Sequence, residues 1–311
     1  MSAGEVVAGY LVPTRPHPLL APEKAPGWGR LRQAYERVAA EIADLEPDLL
    51  LIFSTRWVSI IGHQMQADPN PKFWVVDEDF HELGTLHYDL RIDADFAAAY
   101  RDAATARGLT ARTVAYEGFP VDVGSITALR LLDPEGRIPA GIVSCNMYSD
   151  RAETLVLGKA AADAVAAGGK RVVAVAVSAL SNRMFTEWID PAEDRIHSAK
   201  DDEWNRKILE LLAAGRLEDV SQLAREFSRQ ANGDSKLKAL WWLASLMGQS
   251  NDYRGEVHAY EALWGTGAAL VGLRPQAGAG GDLEYDEDDS ETYRGDREVL
   301  VRAAGEPEGE S

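Results

Sequence analysis

The apolar run VVAVAV, residues 172–177, constrains the fold most, because no polar residue interrupts it. A strand of this composition needs cover on both faces, as in a sheet that has helices on either side. Other β-rich runs bounded by turn residues are EVVAGYLV (5–12), DLLLIFS (48–54), LTARTVAY (109–116) and IPAGIVSCN (138–146). These runs predict several strands of one largely covered sheet.

Helical patterns alternate with the strands. WGRLRQAYERVAAEIADL (28–45) places its apolar residues on one helical face, and ETLVLGKAAADAVAAG (153–168) predicts a second helix with Gly168 at its C-cap. Three further helices follow one another at 201–215, 217–230 and 236–248, and GAALVGL (267–273) closes the pattern as a strand. The prediction is an α/β fold: a single domain, residues 4–274, with a central mixed sheet flanked by helices and a helical segment late in the chain.

Charge sets the C-terminal segment apart. Residues 275–311 carry twelve acids and three arginines, about half of the net charge of −18. With few residues able to bury apolar area, this segment is predicted to be a disordered acidic tail. The overall negative charge disfavours nucleic acid or an anionic membrane as partner, and no run of apolar residues is long enough for a transmembrane helix. Without a signal-peptide pattern at the N-terminus, the expected location is the cytoplasm.

Polar side chains follow the first two predicted strands, where α/β proteins often build their sites. They are Thr14, Arg15 and His17 after the first strand, and Ser54, Thr55 and Arg56 after the second. Nucleotide-binding, HExxH and GxSxG motifs are absent, and no two of the six histidines have a helical metal-ligand spacing. The single cysteine, Cys145, lies in a predicted strand and is expected to be a structural thiol. From the residues alone, the chain is an acidic α/β protein with a possible site at these strand ends.

Several segments, in order along the chain, resemble class III extradiol ring-cleavage dioxygenases, the protocatechuate-4,5-dioxygenase-like family. They are AGYLVPTRPHPLL, GWGRLRQAYERVAAEI, PDLLLIFSTRW, YEGFPVDVGSITALRLL, VAVSALSNRMF and WGTGAALVGL. Within the family, IDPAEDRI followed by DDEWNRK is similar to the iron-free α subunits of 2-aminophenol 1,6-dioxygenases. The resemblance covers the body of the chain and omits the acidic tail.

In catalytic members of this family, two histidines and a carboxylate hold ferrous iron, and a further histidine acts as acid–base. The resemblance places Thr14 and Arg56 at the two ligand histidines, Asn182 at the acid–base histidine and Asp234 at the carboxylate. A threonine hydroxyl is a poor ferrous ligand, and a guanidinium offers only donors. His17 and His63 match additional histidines outside the ligand set, so the resemblance implies vestigial positions and no metal bound by this chain.

The resemblance therefore implies an iron-free structural or regulatory α-type subunit. Its partner would be a catalytic β-type subunit that holds the Fe(II), most simply in an α2β2 hetero-oligomer acting on a 2-aminophenol or catechol-like ring. The alternatives are a self-sufficient dioxygenase with an altered iron site and an aromatic small-molecule binding protein. Candidates for lining the pocket are His17, Arg15, Thr55 and Ser181.

Two further expectations concern single residues. Arg56 is predicted to reach into the vestigial pocket and pair with Asp234, with Thr14 and Asn182 nearby; the alternative is that Arg56 points to solvent. Trp241 and Trp242, on a late helix, are expected to lie in the core or in a subunit interface.

Overall fold

The computed structural model describes residues 3–276, which form ten strands and eight α-helices. The strands are β1 (Glu5–Val12), β2 (Leu49–Ser59), β3 (His63–Gln66), β4 (Lys72–Val76), β5 (Thr85–Asp89), β6 (Ala111–Val114), β7 (Ala140–Asn146), β8 (Arg171–Val177), β9 (Tyr253–Leu263) and β10 (Thr266–Pro275). The helices are α1 (His17–Leu20), α2 (Pro26–Asp44), α3 (Ala94–Ala106), α4 (Val123–Leu132), α5 (Arg151–Gly168), α6 (Ala199–Ala213), α7 (Leu217–Ala231) and α8 (Lys238–Leu246).

Eight strands form one mixed sheet in the order β6-β3-β7-β2-β8-β1-β10-β9, and β4 pairs with β5 in a separate hairpin. The four central strands β7, β2, β8 and β1 are parallel, so their carboxyl ends share one edge. On one side β10 is antiparallel to β1 and β9 is antiparallel to β10, and on the other side β3 is antiparallel to β7. The parallel centre brings the loops after β1, β2 and β8 together.

The central strand β8 shows why the sheet has two covered faces. Val173, Val175 and Val177 pack in the core formed with α2 and α4, whereas Val172, Ala174 and Ala176 pack in the core formed with α3 and α5–α8. Successive side chains of a strand point to opposite faces. Uninterrupted apolar sequence is therefore required where helices cover both sides.

The late helix α8 lies in the second of these cores. Trp241 and Trp242 are both buried; the Trp242 indole donates to the Tyr100 hydroxyl at 2.9 Å and stacks on Phe53 with ring centroids 5.4 Å apart. Gly158 on α5 permits this packing, because a β-carbon there would lie 2.6 Å from the Trp242 carbonyl oxygen. Both tryptophans are core residues.

The predicted α/β fold with a mixed sheet flanked by helices is confirmed. The structure adds α3, α4, β3, β9 and the β4–β5 hairpin, and it places Gly169 rather than Gly168 at the left-handed C-cap of α5, with φ of 65°. Among residues 3–276, no helix has the length and apolar character needed to cross a membrane. The predicted domain, 4–274, falls within the described residues, and the acidic tail lies outside them from residue 277 onward.

Candidate functional site at the strand ends

A buried carboxylate, Asp234, lies at the centre of the strand-end region. Its Oδ2 accepts hydrogen bonds from the Thr55 hydroxyl at 2.7 Å and from the Ala179 N–H at 3.0 Å, and lies 3.2 Å from the Ser178 hydroxyl. Its Oδ1 accepts a hydrogen bond from the Asn182 amide at 3.1 Å. The carboxylate therefore joins the end of β2, the loop after β8 and the segment before α8.

Two backbone features hold Asp234 in place. The chain after β8 pairs with the segment before α8, because Asp234 N–H donates to Leu180 O at 2.9 Å and Asn182 N–H to Asn232 O at 2.9 Å. The chain then turns through residues 235, 236 and 237, which have φ of 46°, 62° and 58°. Three successive non-glycine residues in the left-handed region cost about 1 kcal/mol or more each. Strain of this kind is typical of functional sites.

A bulge in β2 sets the direction of the neighbouring side chains. Ser54 pairs with Ser144 on β7, and the next paired residue is Val58 opposite Cys145, so residues 55–57 are left out of the ladder. Bulges re-aim side chains near sites. Here Thr55 turns to Asp234 and Arg56 turns away from it.

Arg56 does not pair with Asp234, so that prediction is wrong, and the alternative of an Arg56 directed to solvent is wrong as well. Arg56 is bonded to Glu78 at 2.8 Å and lies 3.7 Å from both Asp77 and Asp79, in the loop between β4 and β5. The physical reason is the bulge, which directs Arg56 to this acidic loop. Asp234 is supplied with neutral donors instead.

Arg15 joins the same acidic loop from the end of β1. It is 5% exposed, lies 2.5 Å from Asp79 and 3.6 Å from Asp77, and covers the Phe80 ring at 5.2 Å. Burial alone raises the pKa of Asp79, but the hydrogen bond from Arg15 and the charges of Arg15 and Arg56 outweigh it and hold that pKa below its usual value. The acidic side chains of this loop therefore form ion pairs with both Arg15 and Arg56.

The remaining predicted site residues have separate surroundings. His17 packs edge-on against Trp28 and Phe80, and neither ring nitrogen has a hydrogen-bond partner within residues 3–276. Burial, together with the charges of Arg15 and Lys24, lowers the pKa of His17 to about 3. The imidazole is therefore neutral and packed as an aromatic ring.

Thr14 is buried after the end of β1, and the hydroxyl of Ser181 accepts a hydrogen bond from Asn205 at 2.8 Å. His63 is paired with Glu153 at 2.9 Å. The structure therefore brings together Thr55, Asn182 and Asp234. The roles assigned to the eight predicted site residues stay predictions. These residues are Thr14, Arg15, His17, Thr55, Arg56, Ser181, Asn182 and Asp234.

Sequence reasoning missed one buried group beside this site, Lys238, whereas the neighbouring Cys145 was expected to be a structural thiol. Lys238, at the start of α8, donates to Asn146 O at 2.6 Å and Met147 O at 2.9 Å, and burial lowers its pKa below the usual value. Burial raises the pKa of the Cys145 thiol to about 11. Cys145 is thus a protonated core thiol, and Lys238 anchors the left-handed turn to the end of β7.

Residues 12–271 match the family model described as the catalytic LigB subunit of aromatic ring-opening dioxygenase. The chain belongs to the LigB family. Similar proteins are the 2-aminophenol 1,6-dioxygenase alpha subunit of Pseudomonas sp, 34% identical over 86% of this chain and 98% of that protein, and the beta subunit, 32% identical over 87% and 94%. The resemblance to ring-cleavage dioxygenases is therefore confirmed.

The fold is shared with a crystal structure of an uncharacterised protein from Escherichia coli K12. The TM-score is 0.61 at 13% identity, over 86% of this chain and 100% of that one. Within the LigB family, the identities to the alpha and beta subunits differ by too little to choose between the two. Whether this chain corresponds to the alpha or to the beta subunit therefore depends on the side chains of the site.

Those side chains differ from the two imidazoles and one carboxylate that hold non-haem iron. Around Asp234 the structure places hydroxyl, amide and backbone N–H donors, and these groups occupy both carboxylate oxygens. In the described part of the chain, one group of three His, Cys, Asp or Glu side chains has ligand atoms within 4.8 Å of one another, and it lies elsewhere, at Glu41, Glu256 and His258. The donor set around Asp234 does not fit ferrous iron.

Proposed function

We propose that this chain is an iron-free α-type subunit of a LigB-family dioxygenase that cleaves a 2-aminophenol or catechol-like ring. Its role is structural or regulatory, and the chemistry belongs to a catalytic β-type partner that holds the Fe(II). The similarity to both subunits of a two-subunit dioxygenase supports a heteromeric partner. By analogy with the family, the assembly proposed is α2β2.

One observation carries this proposal: the carboxylate at the ligand position is engaged by the chain's own donors. Thr55 and the Ala179 N–H bond one oxygen of Asp234, and Asn182 bonds the other. A metal ligand has to direct a free lone pair at the ion. Releasing Asp234 for that purpose would leave the Ala179 N–H and the Asn182 amide without this partner, at a cost of about 1–3 kcal/mol for each.

An exposed apolar surface supports the partnership. It consists of Val58, Ile60, Ile61, Met147 and Tyr148, each between 48% and 74% exposed. These residues are contiguous because Met147 N–H donates to Ser59 O at 2.8 Å, across the ends of β2 and β7. Apolar clusters of this kind mark interaction sites on soluble proteins. We assign this β2–β7 apolar surface to the catalytic subunit.

Co-expression with a homologous catalytic subunit tests the function. The expected result is a stable complex in which all iron, measured after the chains are separated, belongs to the catalytic chain. Oxygen consumption with 2-aminophenol is expected from the complex and not from this chain alone. One tightly bound iron and ring cleavage by the isolated chain would instead establish a self-sufficient dioxygenase. Aromatic-ligand binding without any partner would establish a binding protein.

Restoring the catalytic residues provides the constructive test. The variant combining Thr14→His, Arg56→His, Asn182→His and Asp234→Glu supplies the imidazoles and the longer carboxylate of the catalytic pattern. A histidine at position 56 lacks the ion pairs that hold Arg56 at the acidic loop, so it is expected to turn toward position 234, and the variant is expected to acquire about one ferrous ion per chain in anaerobic dialysis. The matched control retains Thr14 and Arg56 and changes only the other two positions, and it should stay without iron. Equal binding by the two variants would contradict the assignment of the ligand positions.

Charge substitutions test the surface. Ile60→Asp combined with Ile61→Asp is expected to weaken the complex at least tenfold, because two carboxylates would be desolvated in the interface. The matched control is Tyr116→Asp: Tyr116 is 73% exposed and follows β6, whose carboxyl end lies at the opposite edge of the sheet. Unchanged affinity of the Ile60/Ile61 variant would place the interface elsewhere.

A further inference from the structure

A second polar cluster lies on the opposite side of the sheet from α8, where α2 packs against β9. His258, on β9, has a side chain that is only 3% exposed, whereas the side chains of Glu41 on α2 and Glu256 on β9 are 37% and 62% exposed. The three residues line a surface cavity of about 380 Å³. None of them belongs to the strand-end site around Asp234.

The separations within this cluster suit a shared ion better than hydrogen bonds. His258 Nδ1 lies 3.8 Å from Glu41 Oε1 and 3.7 Å from Glu256 Oε1. Hydrogen bonds from a ring N–H to oxygen span about 2.7–3.2 Å. Zn²⁺ bonds of about 2.0–2.1 Å in tetrahedral geometry put neighbouring ligand atoms about 3.3–3.4 Å apart. Shifts of a few tenths of an ångström would bring His258 Nδ1 and either carboxylate oxygen to zinc-ligand separation, and all three ligand atoms already lie within 4.8 Å of one another.

The orientation of the imidazole is fixed by its other nitrogen. His258 Nε2 is buried against β10, where a β-carbon on Gly272 would lie 3.0 Å from it, and it has no hydrogen-bond partner within residues 3–276. The absence of a side chain at Gly272 gives the ring its space. Nδ1 is consequently the nitrogen that faces the cavity and the two carboxylates.

Neighbouring residues hold one carboxylate in a ligating position. Arg274 Nη2 donates to Glu41 Oε2 at 3.1 Å, and the Tyr10 hydroxyl donates to the same oxygen at 3.3 Å. The other oxygen of Glu41, Oε1, faces His258. Outer contacts of this kind orient metal ligands and fix which oxygen faces the ion. The positive charge of Arg274 opposes a cation and lowers the expected affinity of the site.

We propose that Glu41, Glu256 and His258 form a zinc site that ties α2 to the edge strand β9. One imidazole nitrogen and two carboxylate oxygens are ordinary zinc ligands, with water completing the tetrahedron. The site is independent of the proposed subunit function, because its ligands lie outside the strand-end region.

Equilibrium dialysis of the full chain against Zn²⁺ tests this proposal. The expected result is one ion per chain, with affinity at least tenfold lower in His258→Ala and in Glu256→Gln. The matched control, His81→Ala, removes an exposed histidine that also has an acidic neighbour, and it should bind zinc as the original chain does. Zinc binding that is insensitive to both site substitutions, or that His81→Ala reduces equally, would overturn the proposal.

A spectroscopic readout separates this site from other carboxylates. Co²⁺ in place of Zn²⁺ is expected to give the intense visible bands of low-coordinate cobalt, and His258→Ala should abolish them. Loss of the bands in Asp234→Asn but not in His258→Ala would place the ion at the strand-end site and refute the proposal. Iron measurements on the chain are then made in the His258→Ala background, so that failure of the zinc site and failure of the subunit function are distinguished.

Discussion

Replacing Asp234 by alanine removes the acceptor on which donors from the end of β2 and from the loop after β8 converge. The Ala179 N–H at 3.0 Å and the Asn182 amide at 3.1 Å lose this partner. Thr55 keeps a second acceptor, Val177 O at 3.2 Å. With about 1–3 kcal/mol for each of these two donors, Asp234→Ala should lower the free energy of unfolding by about 2–6 kcal/mol.

Urea unfolding of the purified chain, followed by tryptophan fluorescence, measures this loss. A double-mutant cycle with Asn182→Ala should give a coupling of about 1 kcal/mol or more, because the two residues share a hydrogen bond. The control is Asp102→Ala, in which an exposed carboxylate on α3 is removed; its effect should stay within about 0.5 kcal/mol.

The reasoning is refuted if Asp234→Ala changes stability by less than about 1 kcal/mol. It is also refuted if the loss disappears once the original chain has been treated with a chelator, since Asp234 would then stabilise the fold through a metal. A loss that persists after chelation supports a carboxylate held by protein donors.

Other substitutions test the neighbouring groups. Arg15→Ala should cost about 3–5 kcal/mol and Arg56→Ala about 1–2 kcal/mol in urea unfolding, since Arg15 is more deeply buried beside the acidic loop; the reverse order would contradict this. The raised pKa of Cys145, about 11 against 9.0 when unfolded, favours the protonated thiol in the fold, so stability falls as pH rises from 9 to 11. Cys145→Ala should remove about 2–3 kcal/mol of that fall, measured by unfolding at both pH values. Lys236→Gly, at φ of 62°, should raise stability by about 0.5–1 kcal/mol, and a loss would mean that the lysine side chain holds the turn.

The sequence by itself determined the architecture and the position of the candidate site. The uninterrupted run 172–177 required two covered faces, and β8 has them. The resemblance also implied, without coordinates, that Thr14, Arg56 and Asn182 stand where catalytic members carry histidines, and this assignment stays a prediction. Periodicity and composition report on element type and on which face is buried, and both depend on near neighbours in the chain.

Only the tertiary structure decided which side chains meet. The direction of Arg56 depends on the bulge in β2, and the donors around Asp234 depend on the left-handed turn before α8. Glu41 and His258, more than 200 positions apart, meet only because α2 packs on β9. Such contacts follow from sheet register and from local departures from regular backbone geometry. Neither has a periodic pattern in the sequence, so these partners could not be read before the chain was folded.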